Sequence, residues 1–407
     1  MVFELKNEPY RSLFITYKIV TLYLFRLPFW SIYYIPKALR PYPTWTWRRC
    51  IQFRKLKVVF DFGEVSKRAG PVIAKPDYRA ILAGLAVKGL WLEPVSDLVV
   101  GDVKSWADTA GVESIRIPGY WYDREGSDTP IGEKPKPGEK VVYFIHGGGF
   151  VVESASPKGG WVYLIQRLTT IHPSIRRALA VEYRLTTGPP SYELQAPFPA
   201  ALIDSLAGYN YLANTVGFDP NDIIVAGDSA GGNLTITLTK YLVENSNTPA
   251  VVKSIPAPPG AIIPMCPWAD LGSSHEGPGA SLYKNESTDI IGEIDTDILF
   301  YARKNYAGVL GMNQLNSNRY ISPASTDPSI GEVSFKGFPR TFIQGGNIEI
   351  FIDQIRTLRD KMREELGKDL VEYYEVDGGV HDCMGIPYWE PEIDSAFEAI
   401  REWLARG

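Results

Sequence analysis

Cysteine is scarce in this 407-residue chain, with three residues, Cys50, Cys266 and Cys383, odd in number and far apart. That spacing matches neither a disulfide framework nor a thiolate metal site and points to a reducing compartment. Histidine is nearly as rare, at four, so a reaction needing an imidazole base has few residues to choose from. There is no low-complexity tract and no short-period repeat, which excludes solenoid architectures. A formal charge of −5 spread along the chain gives no reason to expect nucleic acid as a partner.

A local absence is more telling. Between Pro9 and Phe60 no acidic residue occurs, while ten basic ones run from Arg11 to Lys57 among aromatics such as Tyr23, Phe25, Phe29, Trp30, Trp45 and Trp47. Lys18 and Arg26 interrupt the apolar run and Pro28 and Pro36 bound its second half, so the pattern predicts no uncharged span of about 20 residues. Glu4 and Glu8 ahead of the apolar part, with no small-residue cleavage site, fit a secretory signal poorly. Two readings stay open: a helix lying in an anionic membrane surface, or a cap packed over an apolar pocket. The first implies an intracellular protein held peripherally on a membrane such as the endoplasmic reticulum.

With 45% hydrophobic residues the rest can form one large core. A helix is expected over Tyr78–Val87 and early strands over Leu98–Val103 and Val112–Ile117, followed by a polar loop, Asp123–Lys140. Strands are then expected at Val141–Ile145, Ala178–Tyr183, Ile223–Ala226, Ala261–Met265, Thr341–Gln344 and Val371–Val376, separated by helix-length segments. This alternation implies a mostly parallel sheet covered on both faces, with sites at the carboxyl ends of strands.

The chain is organised around Gly227-Asp228-Ser229-Ala230-Gly231-Gly232, between an apolar strand and a helical segment. It reads as a nucleophile elbow, the sharp turn that lifts a serine off a buried strand onto a helix N-terminus. His146-Gly147-Gly148-Gly149-Phe150 follows the Val141–Ile145 strand, and its uncovered N–H groups suit an oxyanion. Gly147 and Gly148 are the expected donors, with Ala230, the residue after the serine, as the third.

Elimination picks the base. His146 belongs to the glycine loop, His172 precedes Pro173 at a helix end, and His275 lies in an insertion, which leaves His381 after the Val371–Val376 strand. For the acid, the turn Gly345-Gly346-Asn347 brings Glu349 forward with Asp353 as rival, while Asp377 and Asp382 are outsiders.

These motifs resemble the hormone-sensitive-lipase-like branch of the α/β-hydrolase fold. His146-Gly-Gly-Gly and Gly227-Asp-Ser-Ala-Gly-Gly carry the likeness, with Tyr183-Arg184-Leu185, Phe198-Pro199-Ala200-Ala201, Pro267-Trp268-Ala269-Asp270-Leu271 and Tyr320-Ile321-Ser322-Pro323. The resemblance covers about residue 143 to the C-terminus. Its acid-x-x-x-Asp motif matches Glu349 to Asp353, which favours Glu349 as acid and gives Asp353 a supporting role. Thr186-Thr187-Gly188-Pro189-Pro190 and Asp382-Cys383 depart from the family pattern. Within the branch the chain is similar to fungal members, including steryl acetyl hydrolases and esterases of secondary metabolism, through its basic-aromatic N-terminus and Gly119-Tyr120-Trp121.

The resemblance implies an α/β-hydrolase fold with a helical cap, residues 1–92 contributing to the cap, a catalytic domain over 93–407 and a cap insertion near 272–307. It implies a serine esterase for a hydrophobic, short-acyl ester, with a Ser229–His381–Glu349 triad and no metal or organic cofactor. Acyl transfer or cyclisation on the same serine is the alternative chemistry, and a non-catalytic ligand receptor the alternative class.

Overall fold

A computed structural model of the chain describes residues 9–60, 78–82, 84, 87–189, 192–246, 255–291 and 297–406. Its centre is an eight-stranded sheet in the order β1-β2-β4-β3-β5-β6-β7-β8. The strands are β1 (Val87–Leu92), β2 (Ile117–Asp123), β3 (Lys140–Ile145), β4 (Ile175–Val181), β5 (Ile223–Asp228), β6 (Ala261–Met265), β7 (Arg340–Gly346) and β8 (Val371–Val376). β1 and β2 pair antiparallel, as do β2 and β4, and all the later pairs are parallel.

The continuous apolar strands follow from burial on both faces. In β3, Val141, Tyr143 and Ile145 join the core on one side while Val142 and Phe144 join the core on the other. The six strands expected after residue 140 are all present. The sheet begins at Val87, inside the stretch assigned to the N-terminal segment.

The front of the sheet differs from expectation. Leu98–Val103 is no strand: Ser96–Leu98 form a 3-10 turn and Gly101–Ala110 a helix. Leu98, Val99 and Val103 are buried apolar residues there, and a short apolar run has the same composition in either element. The helix expected over Tyr78–Val87 is also absent among the described residues, where 78–80 form a turn and Gly84 bridges Val87. Residues 83, 85 and 86 lie outside the description.

The N-terminal stretch divides in two. Helices α1 (Tyr10–Thr21) and α2 (Leu27–Tyr33) are joined through a π-helical turn, Leu22–Arg26, into one rod. Pro28 does not end it, because it sits in the first turn of α2, where its missing N–H is needed least. Residues 42–58, by contrast, dock onto the main domain. Trp45 is fully buried, stacks edge-on with Trp389 at 5.6 Å and donates from Nε1 to Gly378 O at 2.9 Å. Arg49, on helix α3 (Trp47–Phe60), pairs with Glu392 through two hydrogen bonds of 2.9 and 2.6 Å.

Candidate active site

Ser229 follows β5 directly and opens the Ser229–Asn245 helix. Its φ of 51° lies in the left-handed region, a strained geometry for a residue with a side chain and the one that aims Oγ out of the sheet. The flanking glycines are required by close approach: a Cβ on Gly231 would stand 1.9 Å from Ile145 O.

His381 and Glu349 reach the same sheet end from the neighbouring strands. Glu349 follows β7, is fully buried, accepts from the Gly346 N–H at 3.1 Å through Oε1, and presents Oε2 to His381 Nδ1 at 2.9 Å. That bond fixes the tautomer whose Nε2 is free of its proton in the neutral ring. Ser229 and His381 line one cavity of about 310 Å³, otherwise walled mainly by apolar groups including Leu56, Val152, Trp161, Trp268, Ile290, Leu299 and Phe351. Leu56 comes from α3, and Ile290 and Leu299 from the chain between β6 and β7.

Asp382 takes an unexpected place. Its Oδ2 stands 3.3 Å from His381 Nε2, the nitrogen that has to face Ser229, while Oδ1 is buried without a partner. Burial pulls the His381 imidazole down, but the charges of Asp382, Glu349 and Asp289 more than offset this and push it up to about 9. Burial raises the Asp382 carboxyl to about 7, against the pull of His381. The neighbouring carboxylates therefore favour the protonated ring in the free enzyme.

The other acids fall away from the ring. Asp353 accepts the Ser281 N–H at 2.7 Å and so docks the insertion. Asp377 accepts from Tyr42 Oη at 2.6 Å and Asn347 Nδ2 at 3.0 Å. Asp289, within the insertion, accepts the His381 N–H at 2.9 Å and the Ile350 N–H at 2.7 Å. It thereby ties the loops carrying the base and the acid. No local pattern marks it, since its partners are some 60 and 90 residues distant.

The glycine loop requires one correction. The Gly147 N–H donates to Asp228 Oδ1 at 3.1 Å, whereas Gly148 and Gly149 line the cavity beside Ser229. Among the described residues the N–H groups of Gly148 and Gly149 have no acceptor. Of the expected pair, Gly147 thus has its N–H taken by Asp228, while Gly148 lines the cavity with Gly149 beside it. The third glycine of the motif was the available signal. Gly148 is held at φ 98°, where a Cβ would meet Val152 O at 2.3 Å. Ala230 is the second residue of its helix, so its N–H has no carbonyl one turn back.

The remaining histidines have structural partners. His146 Nδ1 lies 2.8 Å from Gly147 O, its ring stacks on Tyr183 at 4.2 Å, and burial pulls its pKa down to about 4. Tyr183 Oη donates to His146 O at 2.9 Å, and Arg184 beside it forms a buried pair with Asp204 at 2.8 Å. His172 Nδ1 accepts the Ser174 N–H, and His275 bridges Asp270 and Thr357. Asn233 Nδ2 donates to Trp268 O and Ile321 O, each at 2.8 Å, which joins the Pro-Trp and Tyr-Ile-Ser-Pro motifs to the nucleophile's helix.

One group among the described residues brings metal-ligating atoms together: Cys266, His381 and Asp382, all within 4.8 Å. Both His381 nitrogens already face carboxylates, and burial raises the Cys266 thiol well above its usual range, so the set is poorly suited to a cation.

With this geometry in view, comparison with known proteins is informative. The esterase LipU of Mycobacterium tuberculosis is 25% identical over 65% of this chain and 77% of its own length. An acetyl-hydrolase of Streptomyces hygroscopicus is 32% identical over 54% of this chain and 60% of its own. Among solved structures, the esterase EstE5 superposes with a TM-score of 0.56 at 21% identity, over 87% of this chain and 98% of that one. A hormone-sensitive lipase from a metagenome library superposes with a TM-score of 0.55 at 19% identity, over 94% and 97%. The family model for the alpha/beta hydrolase fold matches residues 141–385, from β3 to just past His381. The chain belongs to the alpha/beta hydrolase fold family.

Proposed function

We propose that this protein is a serine carboxylic ester hydrolase acting on a hydrophobic ester with a short acyl chain. The observation that carries the reading is the 2.9 Å bond from Glu349 Oε2 to His381 Nδ1, in a cavity that both His381 and Ser229 line. The names of the esterase and acetyl-hydrolase relatives agree with it.

In this mechanism Nε2 first gives up its proton to solvent and exchanges Asp382 for the Ser229 hydroxyl. Ser229 Oγ attacks the ester carbonyl as its proton passes to Nε2, and Glu349 stabilises the imidazolium that forms. The N–H groups of Gly148, Gly149 and Ala230 receive the oxyanion. The alcohol leaves with the proton from Nε2, and water then releases the acyl group by the same steps. A cavity of about 310 Å³ is at the small end for ligand sites, which favours short acyl groups.

The test is mass spectrometry of the protein quenched during turnover of a p-nitrophenyl ester. The acyl mass is expected on the peptide containing Ser229, and an adduct found only elsewhere overturns the assignment. A p-nitrophenyl chain-length series should fall off beyond short acyl groups.

A further inference from the structure

Among the described residues, the α1–α2 rod differs from the other α-helices because it buries almost nothing. Of residues 12–33 Leu22 alone is buried. Leu13 and Ile19, six residues apart in α1, point about a third of a turn from one another, and Phe25 follows in the π-helical turn. They are 61%, 45% and 66% exposed. A helix with one apolar face would lie on a surface, whereas one apolar all round is built for an apolar solvent.

Length and charge identify that solvent. The apolar helix Ser12–Tyr33 has 22 residues, about 33 Å at the usual rise, against a bilayer hydrocarbon core of about 30 Å. Two cations interrupt it. Lys18 Nζ folds back over the Phe14 ring at 5.4 Å, toward the N-terminal end, as a snorkelling lysine does. Arg26 lies seven residues from the Tyr33 end, within about 11 Å of the head groups by helix rise. Beyond that end come Lys37, Arg40 and Arg48 with no acid before residue 60, a cationic collar complementary to anionic lipid.

We propose that the α1–α2 helix is inserted in a lipid bilayer as an integral anchor, with the basic segment after Tyr33 on the head groups. This replaces the flat, surface-lying helix expected from sequence. The cap reading applies to a different part of the segment, residues 42–58. The two are joined: Trp47 Nε1 donates to Ser31 O at 2.8 Å and Arg54 Nε to Tyr34 Oη at 2.7 Å, and Leu56 on the same helix lines the catalytic cavity. The anchor thus leads directly to a wall of the active site.

The experiment reconstitutes the full chain from detergent into vesicles of phosphatidylcholine alone or with phosphatidylserine, followed by flotation and washes in high salt and in alkaline carbonate. The full chain is expected to float with both vesicles and to stay with them through both washes. A Leu24→Asp/Phe25→Asp double variant should stop floating, since an aspartate near the middle of a span weakens insertion on the order of a hundredfold. Both side chains are exposed, at 65% and 66%, so its melting temperature and its hydrolysis of a water-soluble ester should match the parent. Release of the full chain by high salt alone would mean surface electrostatics and overturn insertion. So would a full chain that remains with neither vesicle, or one that buries the helix as a detergent-free dimer abolished by the double variant.

Discussion

Replacing Asp382 by asparagine should make the enzyme more active at neutral pH, although it alters a buried residue against the catalytic histidine. Only the neutral imidazole can take the proton of Ser229. With His381 pushed up to about 9, the protonated ring predominates at pH 7 and the neutral, reactive form is the minor one. Among the charges that raise it, Asp382 ranks first. Asp382→Asn removes that charge and keeps the shape, and asparagine tolerates the left-handed backbone, φ 55°, at this position. Each unit by which the ring's pKa falls raises kcat/KM at pH 7 about tenfold, and the two enzymes converge above the parental limb near 9. The assay is kcat/KM for a soluble ester across that range. Superimposable profiles, or an acid limb displaced to higher pH, would refute the argument. The same substitution has a stability signature. The raised His381 contributes stability that is fully present below its unfolded value near 6.5 and lost as pH rises through about 9. The raised Asp382 carboxyl acts in the same direction, its contribution being lost between 3.8 and about 7. Parental melting temperature should therefore decline from acid toward alkaline pH more steeply than that of the variant.

Ser229→Ala should reduce kcat on the order of 10⁴-fold or more with an unchanged circular-dichroism melt; activity near that of the parent would remove the nucleophile. Glu349→Gln should lower kcat by about 10⁴-fold with little change in KM, whereas Asp353→Asn, which loses the 2.7 Å acceptor for the Ser281 N–H, should cost about 1 kcal/mol of stability and leave kcat near the parental value. Asp289→Asn should do both, since a single amide oxygen cannot serve the N–H groups of Ile350 and His381 as the carboxylate does. A loss of about 1–3 kcal/mol in denaturant titration, with a lower kcat, is expected.

The core sheet was legible because burial on both faces leaves only one kind of sequence, short apolar runs spaced by helices, and β6 begins and ends where that pattern does. The elbow, the glycine loop and the elimination of three histidines were legible for a related reason: each is a local demand on backbone or side-chain type. Leu98–Val103 misled because its apolar residues satisfy helix and strand equally, and neighbours decided between them. Which glycine N–H groups face the cavity depended on Asp228, a residue 81 positions away that takes the first of them. The state of His381 depended likewise on Asp382 turning its carboxylate onto Nε2 and on Asp289 arriving from the insertion. Sequence determined which groups are the candidates for the reaction, because residue type and tight turns are properties of single residues and short segments. Their charges and directions were decided by the tertiary structure, because electrostatic energy depends on distance in space and on the water that folding excludes.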